Sequence, residues 1–196
     1  MKIIIVGAYA IGTHLAKLLS RNNQEITLID ENEENLEKLR SDFDLLTIHA
    51  SPTCIRTLKE ARVSSIDLFI AVTPNEYQNI TACSLAHAFG AKKTVARIDN
   101  CEYLQPENAD VFRQMGISSL IYPEELAAKD IANGLKMSWV RQRWDVHNGV
   151  LVMLGIKLRE SCEILNQPLK DLCGPDDPYH VVAIKRGHDT IIPGGN

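Results

Sequence analysis

The 196-residue chain has no apolar run approaching the ~20 residues that span a bilayer. His14, Lys17, Arg21 and later charged residues interrupt every candidate stretch, so no direct membrane span is expected and any membrane role must come through a partner. An excess of basic residues is missing too: 21 Lys and Arg stand against 25 Asp and Glu, a formal net charge of −4, with no basic stripe interleaved with aromatics. That balance gives no electrostatic reason to bind a phosphate backbone, and nucleic acid is not an expected partner. The five cysteines form no C-x-x-C pair and no Cys/His grouping at zinc spacing, so they read as buried, reduced thiols and no metal site is expected. There is no Tyr-x3-Lys pair, and none of the six histidines has a carboxylate support recognisable in the sequence. No catalytic residue is assigned, and an enzyme is not expected. The apolar residues 2–6 imitate a signal peptide only superficially, because they meet Gly7 and Gly12 without a cleavage site.

What is present is the composition of a globular protein, 45% hydrophobic and 23% charged, in a chain long enough for one domain and a smaller second unit. Residues 3–6 form a β-branched run without polar alternation, which suits a strand covered on both faces. A helix over 12–21, a strand over 25–29, an acidic helix over 30–40 and a strand over 45–48 follow. A short helix over 54–61, a strand over 68–72, a helix over 76–89 closed by Gly90 and a strand over 93–98 continue the beat. Strands alternating with helices in this way imply right-handed βαβ units, hence an α/β, Rossmann-like, doubly wound and mostly parallel sheet. It runs to about Tyr122. A crossover helix starting at Pro123 and reaching Met137 comes next, then a small α+β subdomain with strands over 150–157 and 179–185 flanking a short helix over 168–172. The domains expected are therefore 1–122, a helix and linker over 123–148, and 149–196. The last residues read as a strand entering a turn with no partner left to come.

Gly7-Ala8-Tyr9-Ala10-Ile11-Gly12 lies between the first strand and the first helix, the setting in which a G-x-G-x-x-G turn presents main-chain N–H groups to a pyrophosphate. The middle glycine is replaced by Tyr9, whose ring could weaken a dinucleotide, tilt it outward or stack on it. Asp30 closes the second strand where a carboxylate accepts ribose hydroxyls, with no adjoining arginine for a 2′-phosphate, which favours NAD(H) over NADP(H). Two plainer readings stand beside these: a tight turn that only packs strand on helix, and Asp30 as a helix N-cap. A P-loop is excluded, since Thr13-His14 occupy the positions of the obligatory Lys-Ser/Thr.

Taken in order, Gly7 to Gly12, Asp30, Asp67-Leu68-Phe69-Ile70-Ala71-Val72-Thr73, Asn79 and Ala96-Arg97-Ile98 resemble the TrkA family of potassium-uptake regulators, which carry RCK (KTN) domains. The resemblance covers essentially the whole chain, as the first half of the usual tandem with its C-terminal unit cut short. It implies a nucleotide-binding regulatory subunit, cytoplasmic and peripheral at the inner face of the membrane, that gates a membrane potassium-translocating subunit in response to ligand. It implies NAD(H) as the cofactor, with ATP or ADP as alternatives, and dimers paired through the crossover helix and assembled into a ring. By the same resemblance the ligand meets the backbone from Gly7 to Ile11, Asp30, Thr73 and Pro74, and a phosphate meets Arg97. A salt bridge from Arg97 to Asp99 or Asp67 is the structural alternative. Residues 49–53, His-Ala-Ser-Pro-Thr, depart from the family's Gly-Asp pair.

Two rivals remain from other classes. An NAD-dependent dehydrogenase uses the same fold but needs an acid/base group near the nicotinamide. A structural adaptor with a decayed pocket fits Tyr9 and the altered 49–53 loop. The stretch from Trp139 to Trp144, with Arg141 and Arg143, reads as a packed linker or a partner contact.

Overall fold

The structure, a computed structural model, describes residues 1–22, 24–40, 43, 45–136, 140–147, 149–174 and 176–194. Met137 and Trp139, which enter the sequence reading of the helix and linker, lie outside that set, as do Gly195 and Asn196 at the tail. The chain divides into two compact units, residues 1–130 and 131–196.

In the first unit, β1 (Lys2–Val6) is the central strand, and its uninterrupted apolar run is explained by what covers it. Ile4 and Val6 face one core, with Leu58, Phe69, Ala82, Cys83 and Phe112. Ile3 and Ile5 face the other, with Ala16, Leu28, Leu36 and Leu39. Because strand side chains alternate, both faces must be apolar when helices cover both. Each fully buried aliphatic side chain contributes roughly 1.5–3 kcal/mol.

The remaining elements follow the β-α beat: α1 (Ala10–Ser20), β2 (Glu25–Asp30), α2 (Glu33–Arg40), β3 (Leu46–His49), α3 (Ile55–Glu60), β4 (Leu68–Ala71), α4 (Glu76–Ala88), β5 (Thr94–Arg97), α5 (Ala109–Gln114) and β6 (Ser119–Ile121). The sheet order is β3-β2-β1-β4-β5-β6, and every pairing is parallel. This is the doubly wound arrangement expected, and the strand order reverses between β1 and β4. At such a switch point the loops leaving neighbouring strands diverge and open a crevice at their C-terminal ends. Gly90 (φ 102°) ends α4 as expected, its N–H donating to the His87 carbonyl. The sequence reading missed α5 and β6, which are short and supply Phe112 and Leu120 to the core.

Helix α6 (Pro123–Lys136) begins at the expected proline and crosses the division between the units. In the second unit, β7 (Val140–Val146) pairs antiparallel with β8 (Leu151–Ile156). Residues read as linker are thus a strand, in which charged Arg141, Arg143 and Asp145 alternate with Gln142, Trp144 and Val146. A short α7 (Leu169–Leu172) follows. The strand expected over 179–185 is confined to β9 (Ile184–Arg186), because among the described residues only 184–186 find a partner, β10 (Asp189–Ile191). That pairing also corrects the expectation that the last strand has none. Nor are the thiols uniformly buried: Cys83 is buried, Cys54 and Cys101 are exposed, and Cys162 and Cys173 are half-buried, all as free cysteines.

Candidate functional site

The glycine turn after β1 is shaped by close approach. At Gly7 (φ 101°) an added Cβ would stand 2.9 Å from the Thr73 nitrogen, and at Gly12 it would stand 1.8 Å from the Gly7 carbonyl oxygen. Both contacts are internal, so these glycines bring β1, α1 and the loop after β4 together whatever occupies the cleft. Tyr9 differs, because its backbone is extended (φ −84°, ψ −170°) and demands no glycine. It forms the N-cap of α1 without a capping side-chain bond, and its ring is half exposed. The first-turn N–H groups of α1 are therefore not taken by the cap's own side chain.

Asp30, at the C-terminal end of β2, is buried. Its Oδ2 accepts the Ala8 N–H at 2.5 Å and its Oδ1 accepts the Asn32 N–H at 2.7 Å. The cap of α2 is Asn32, whose Oδ1 accepts from the Glu34 and Asn35 N–H groups at 2.9 and 3.4 Å. The N-cap reading of Asp30 thus falls to its neighbour, and the Asp30 carboxylate belongs to the glycine turn.

Across the switch point, Asn79 of α4 holds the loop after β4. Its Oδ1 accepts from the Thr73 N–H at 2.9 Å and the Thr73 hydroxyl at 2.8 Å, while its Nδ2 donates to the Thr73 and Arg97 carbonyls at 2.9 and 3.0 Å. Asn75 caps α4, accepting from the Tyr77 and Gln78 N–H groups. Between the two walls lies a cleft of about 340 Å³ lined by Tyr9, Ile29, Asp30, Glu31, Pro52, Thr73, Pro74, Asn75 and Gln78. Gln78 reaches across to Glu31 at 3.4 Å.

The cleft thus brings together Tyr9, Asp30, Thr73 and Pro74 of the residues singled out in the sequence. Ala8 and Ala10 lie beside them along a neighbouring groove, Ile11 packs against the core, and Gly7 and Gly12 form the turn. Arg97 is not among the lining residues. Its Nη2 donates to Asp99 at 2.9 Å and to Glu124 of α6 at 3.2 Å, while its buried Nε has no hydrogen-bond partner. Asp67, the other acid considered for Arg97, binds Lys92 and the Lys2 N–H instead.

Sequence reasoning missed Glu31, Asn75 and Gln78, although Asn75 could have been found as an N-cap before an acidic first turn. It also missed a carboxylate beside His49: Nδ1 lies 3.3 Å from Glu33, and Nε2 meets the Glu31 carbonyl at 2.9 Å. The hydrogen bond from Nε2 ties the ring to the turn after β2. Among the described residues no group of three or more His, Cys, Asp or Glu could hold a metal, and no helix is long and apolar enough to cross a membrane.

A family model of the TrkA-N domain matches residues 3–123. The chain belongs to the TrkA-N family. Over 193 residues it is 31% identical to the Trk system potassium uptake protein TrkA homolog of Methanothermobacter thermautotrophicus, covering 98% of this chain and 86% of that protein. It is 29% identical to TrkA of Halomonas elongata, there covering 100% of this chain but 44% of the relative, so it spans less than half of that protein. The TrkA resemblance read from the sequence is thereby established. Among solved structures, the TrkA-N domain of the inner membrane protein ybaL from Escherichia coli superposes with a TM-score of 0.59 at 16% identity, over 68% of this chain and 96% of that one. The GsuK channel bound to NAD gives 0.51 at 18% identity, over 61% and 21%. At those identities the two structures speak for the TrkA-N fold alone.

Proposed function

We propose that this TrkA-N chain is a nucleotide-binding regulatory subunit of a membrane potassium-uptake system, with NAD(H) as its ligand and ATP or ADP as the alternatives. The observation that carries the reading is Asp30, a buried carboxylate bonded to the glycine turn and lining the cleft opposite Thr73 and Pro74. A carboxylate so placed accepts the vicinal hydroxyls of a ribose, and Glu31 beside it disfavours a 2′-phosphate. The names of the curated relatives supply the potassium-uptake context, and the NAD held by the GsuK channel matches the ligand class.

A regulatory ligand acts only through different affinities for two arrangements of the protein. Thr73 lines the cleft, Asn79 links Thr73 to the Arg97 carbonyl, and the Arg97 guanidinium holds Glu124 at the start of α6. Ligand pressing on the loop after β4 thus acts on the N-terminal end of α6 through a short bonded chain. Leu126, Ile131 and Leu135 are exposed on that helix, which supports pairing of protomers there, and a ring on the cytoplasmic face of the transporter belongs to the proposal through the TrkA resemblance alone. Contacts of the ligand with the Gly7–Ile11 backbone, and of a phosphate with Arg97 after release from its acids, belong to the same proposal.

Calorimetric titration with NADH, NAD, ATP and ADP tests the reading. Binding that Asp30→Ala weakens at least tenfold supports it, whereas equal binding by wild type and variant, or none to any of the four, refutes it.

A further inference from the structure

The cleft carries charge of one sign. Asp30 and Glu31 line it, and among the described residues no lysine or arginine does. Lys17 and Lys38 line the neighbouring groove beyond Tyr9 and not this cleft. The Arg97 guanidinium donates to Asp99 at 2.9 Å and to Glu124 at 3.2 Å, so a phosphate that reaches it competes with two carboxylates. The two acids of the cleft are met differently. Asp30 is buried and accepts two main-chain N–H groups, those of Ala8 and Asn32. Glu31 is exposed, and its carboxylate accepts from the neutral Gln78 amide of α4 at 3.4 Å. Its carbonyl accepts from His49 Nε2, at the end of β3, at 2.9 Å. Backbone and carboxylate of Glu31 are thus tied to two different elements, and its charge is held at the cleft rather than free to swing away.

We infer that Glu31 sets the ligand preference of this cleft by charge, so that it favours nucleotides of low net phosphate charge and disfavours each added phosphate, in the order NAD, ADP, ATP. The inference rests on the nucleotide reading given above and ranks its candidates. Contacts at the ribose and at the glycine turn are common to all three ligands, so they do not discriminate. Charge does. Like charges repel with an energy that falls only as the inverse of their separation, and a cleft lined by one sign of charge focuses that field. With the ribose on Asp30, the phosphates of any of these ligands lie within the field of Glu31. In NAD two phosphates are shared between two nucleosides and the pyridinium charge of the nicotinamide offsets one of them, whereas ADP and ATP carry a free terminal phosphate. Glu31→Gln keeps the length of the side chain and an acceptor for Gln78 while removing the charge, so it isolates the effect.

The test titrates the whole chain with AMP, NAD, ADP and ATP in magnesium-free buffer at low and high salt. Wild type is compared with Glu31→Gln, Glu31→Lys and Asp30→Ala. Glu25→Gln, at the opposite end of β2 beside Lys2, is the control for net charge. At low salt wild type is expected to bind NAD about tenfold tighter than ATP, with AMP tighter than ADP and ADP tighter than ATP. Glu31→Gln should reduce the NAD-to-ATP ratio by about threefold, chiefly by strengthening ATP, and Glu31→Lys should reduce it further. Glu25→Gln should leave the ratio intact. High salt should strengthen ATP relative to NAD, because it screens the repulsion. A ratio that neither Glu31 variant changes, one that Glu25→Gln changes as much, or ATP binding that weakens with salt overturns the charge preference. If AMP binding still depends on Asp30 in that case, the nucleotide reading of the cleft stands without it. Absence of binding by all four ligands refutes that reading, and the preference with it.

Discussion

The carboxylate of Asp30 accepts the main-chain N–H of Ala8 at 2.5 Å, which makes the end of β2 and the glycine turn after β1 one bonded unit. Asp30→Ala therefore leaves a buried N–H without its acceptor, a loss of about 1–3 kcal/mol. Asp30→Asn keeps an acceptor oxygen within reach, so chemical denaturation is expected to show a smaller loss. Ligand affinity should fall in both variants, because the charged acceptor for the ribose is gone in each. An Asp30→Asn protein that is destabilised as much as Asp30→Ala would show that one retained acceptor does not hold the turn, and that both carboxylate oxygens, on Ala8 and on Asn32, are needed.

Gly12→Ala places a methyl group 1.8 Å from the Gly7 carbonyl oxygen, and that neighbour is backbone. Overpacking in a rigid interior costs ~1–3 kcal/mol and more where nothing can yield, so a loss of at least about 3 kcal/mol is expected from thermal or urea unfolding. Tyr9→Ala, by contrast, should be nearly neutral for stability, since the Tyr9 backbone is extended and its ring half exposed.

Asn79 is fully buried and makes four hydrogen bonds with Thr73 and with the Arg97 carbonyl. Asn79→Leu preserves volume and leaves those groups unpaired, so a destabilisation of about 3 kcal/mol is expected, by urea denaturation. Ligand affinity should fall with it, because the Thr73-Pro74 wall of the cleft loses its anchor. If affinity is unchanged in a folded Asn79→Leu protein, the wall does not contribute to binding.

Asp67 gives a pH dependence with a definite sign. The Lys92 ammonium at 2.7 Å, and after it the Lys2 N–H at 2.9 Å, hold its carboxyl below the usual carboxylate range. A carboxyl depressed on folding stabilises the protein above its unfolded value of about 3.9, and that contribution is lost as pH falls through the lower folded value. Wild type should thus be more stable than Asp67→Asn at pH 7, and the difference should close below about pH 4. Denaturation curves across that range check it, and a constant difference would contradict it.

Two thiols should react at very different rates. Hydrogen bonding from the Thr57 N–H lowers the exposed Cys54 thiol, while burial pushes Cys83 up to about 12. Alkylation at neutral pH followed by peptide mass analysis should find Cys54 modified first and Cys83 protected until the protein unfolds.

The sheet was legible because its signals are local: β-branched runs for the strands, Gly90 for the end of α4 and Pro123 for the start of α6. Strand β7 does carry a period-2 alternation, Arg141, Arg143 and Asp145 against Gln142, Trp144 and Val146, which the linker reading passed over, and the extent of β9 was set by where a partner strand lies, which no local pattern encodes. In the site, Asp30 could be placed because it ends β2 about twenty residues after the glycine turn, whereas Thr73 and Pro74, in the loop after β4, came only through the TrkA resemblance. Arg97 could be recognised as a candidate, but its pairing with Glu124 spans 27 residues and follows from the meeting of β5 with α6.

The central claim is that nucleotide in this cleft regulates potassium movement, and potassium flux tests it most directly. The full chain would be added to vesicles containing the membrane potassium subunit from the same cell, with and without NADH, NAD, ATP and ADP. The account predicts that at least one nucleotide changes flux only when the chain is present, and that Asp30→Ala abolishes the change. Flux that responds to no nucleotide, or that responds equally with Asp30→Ala, would contradict it.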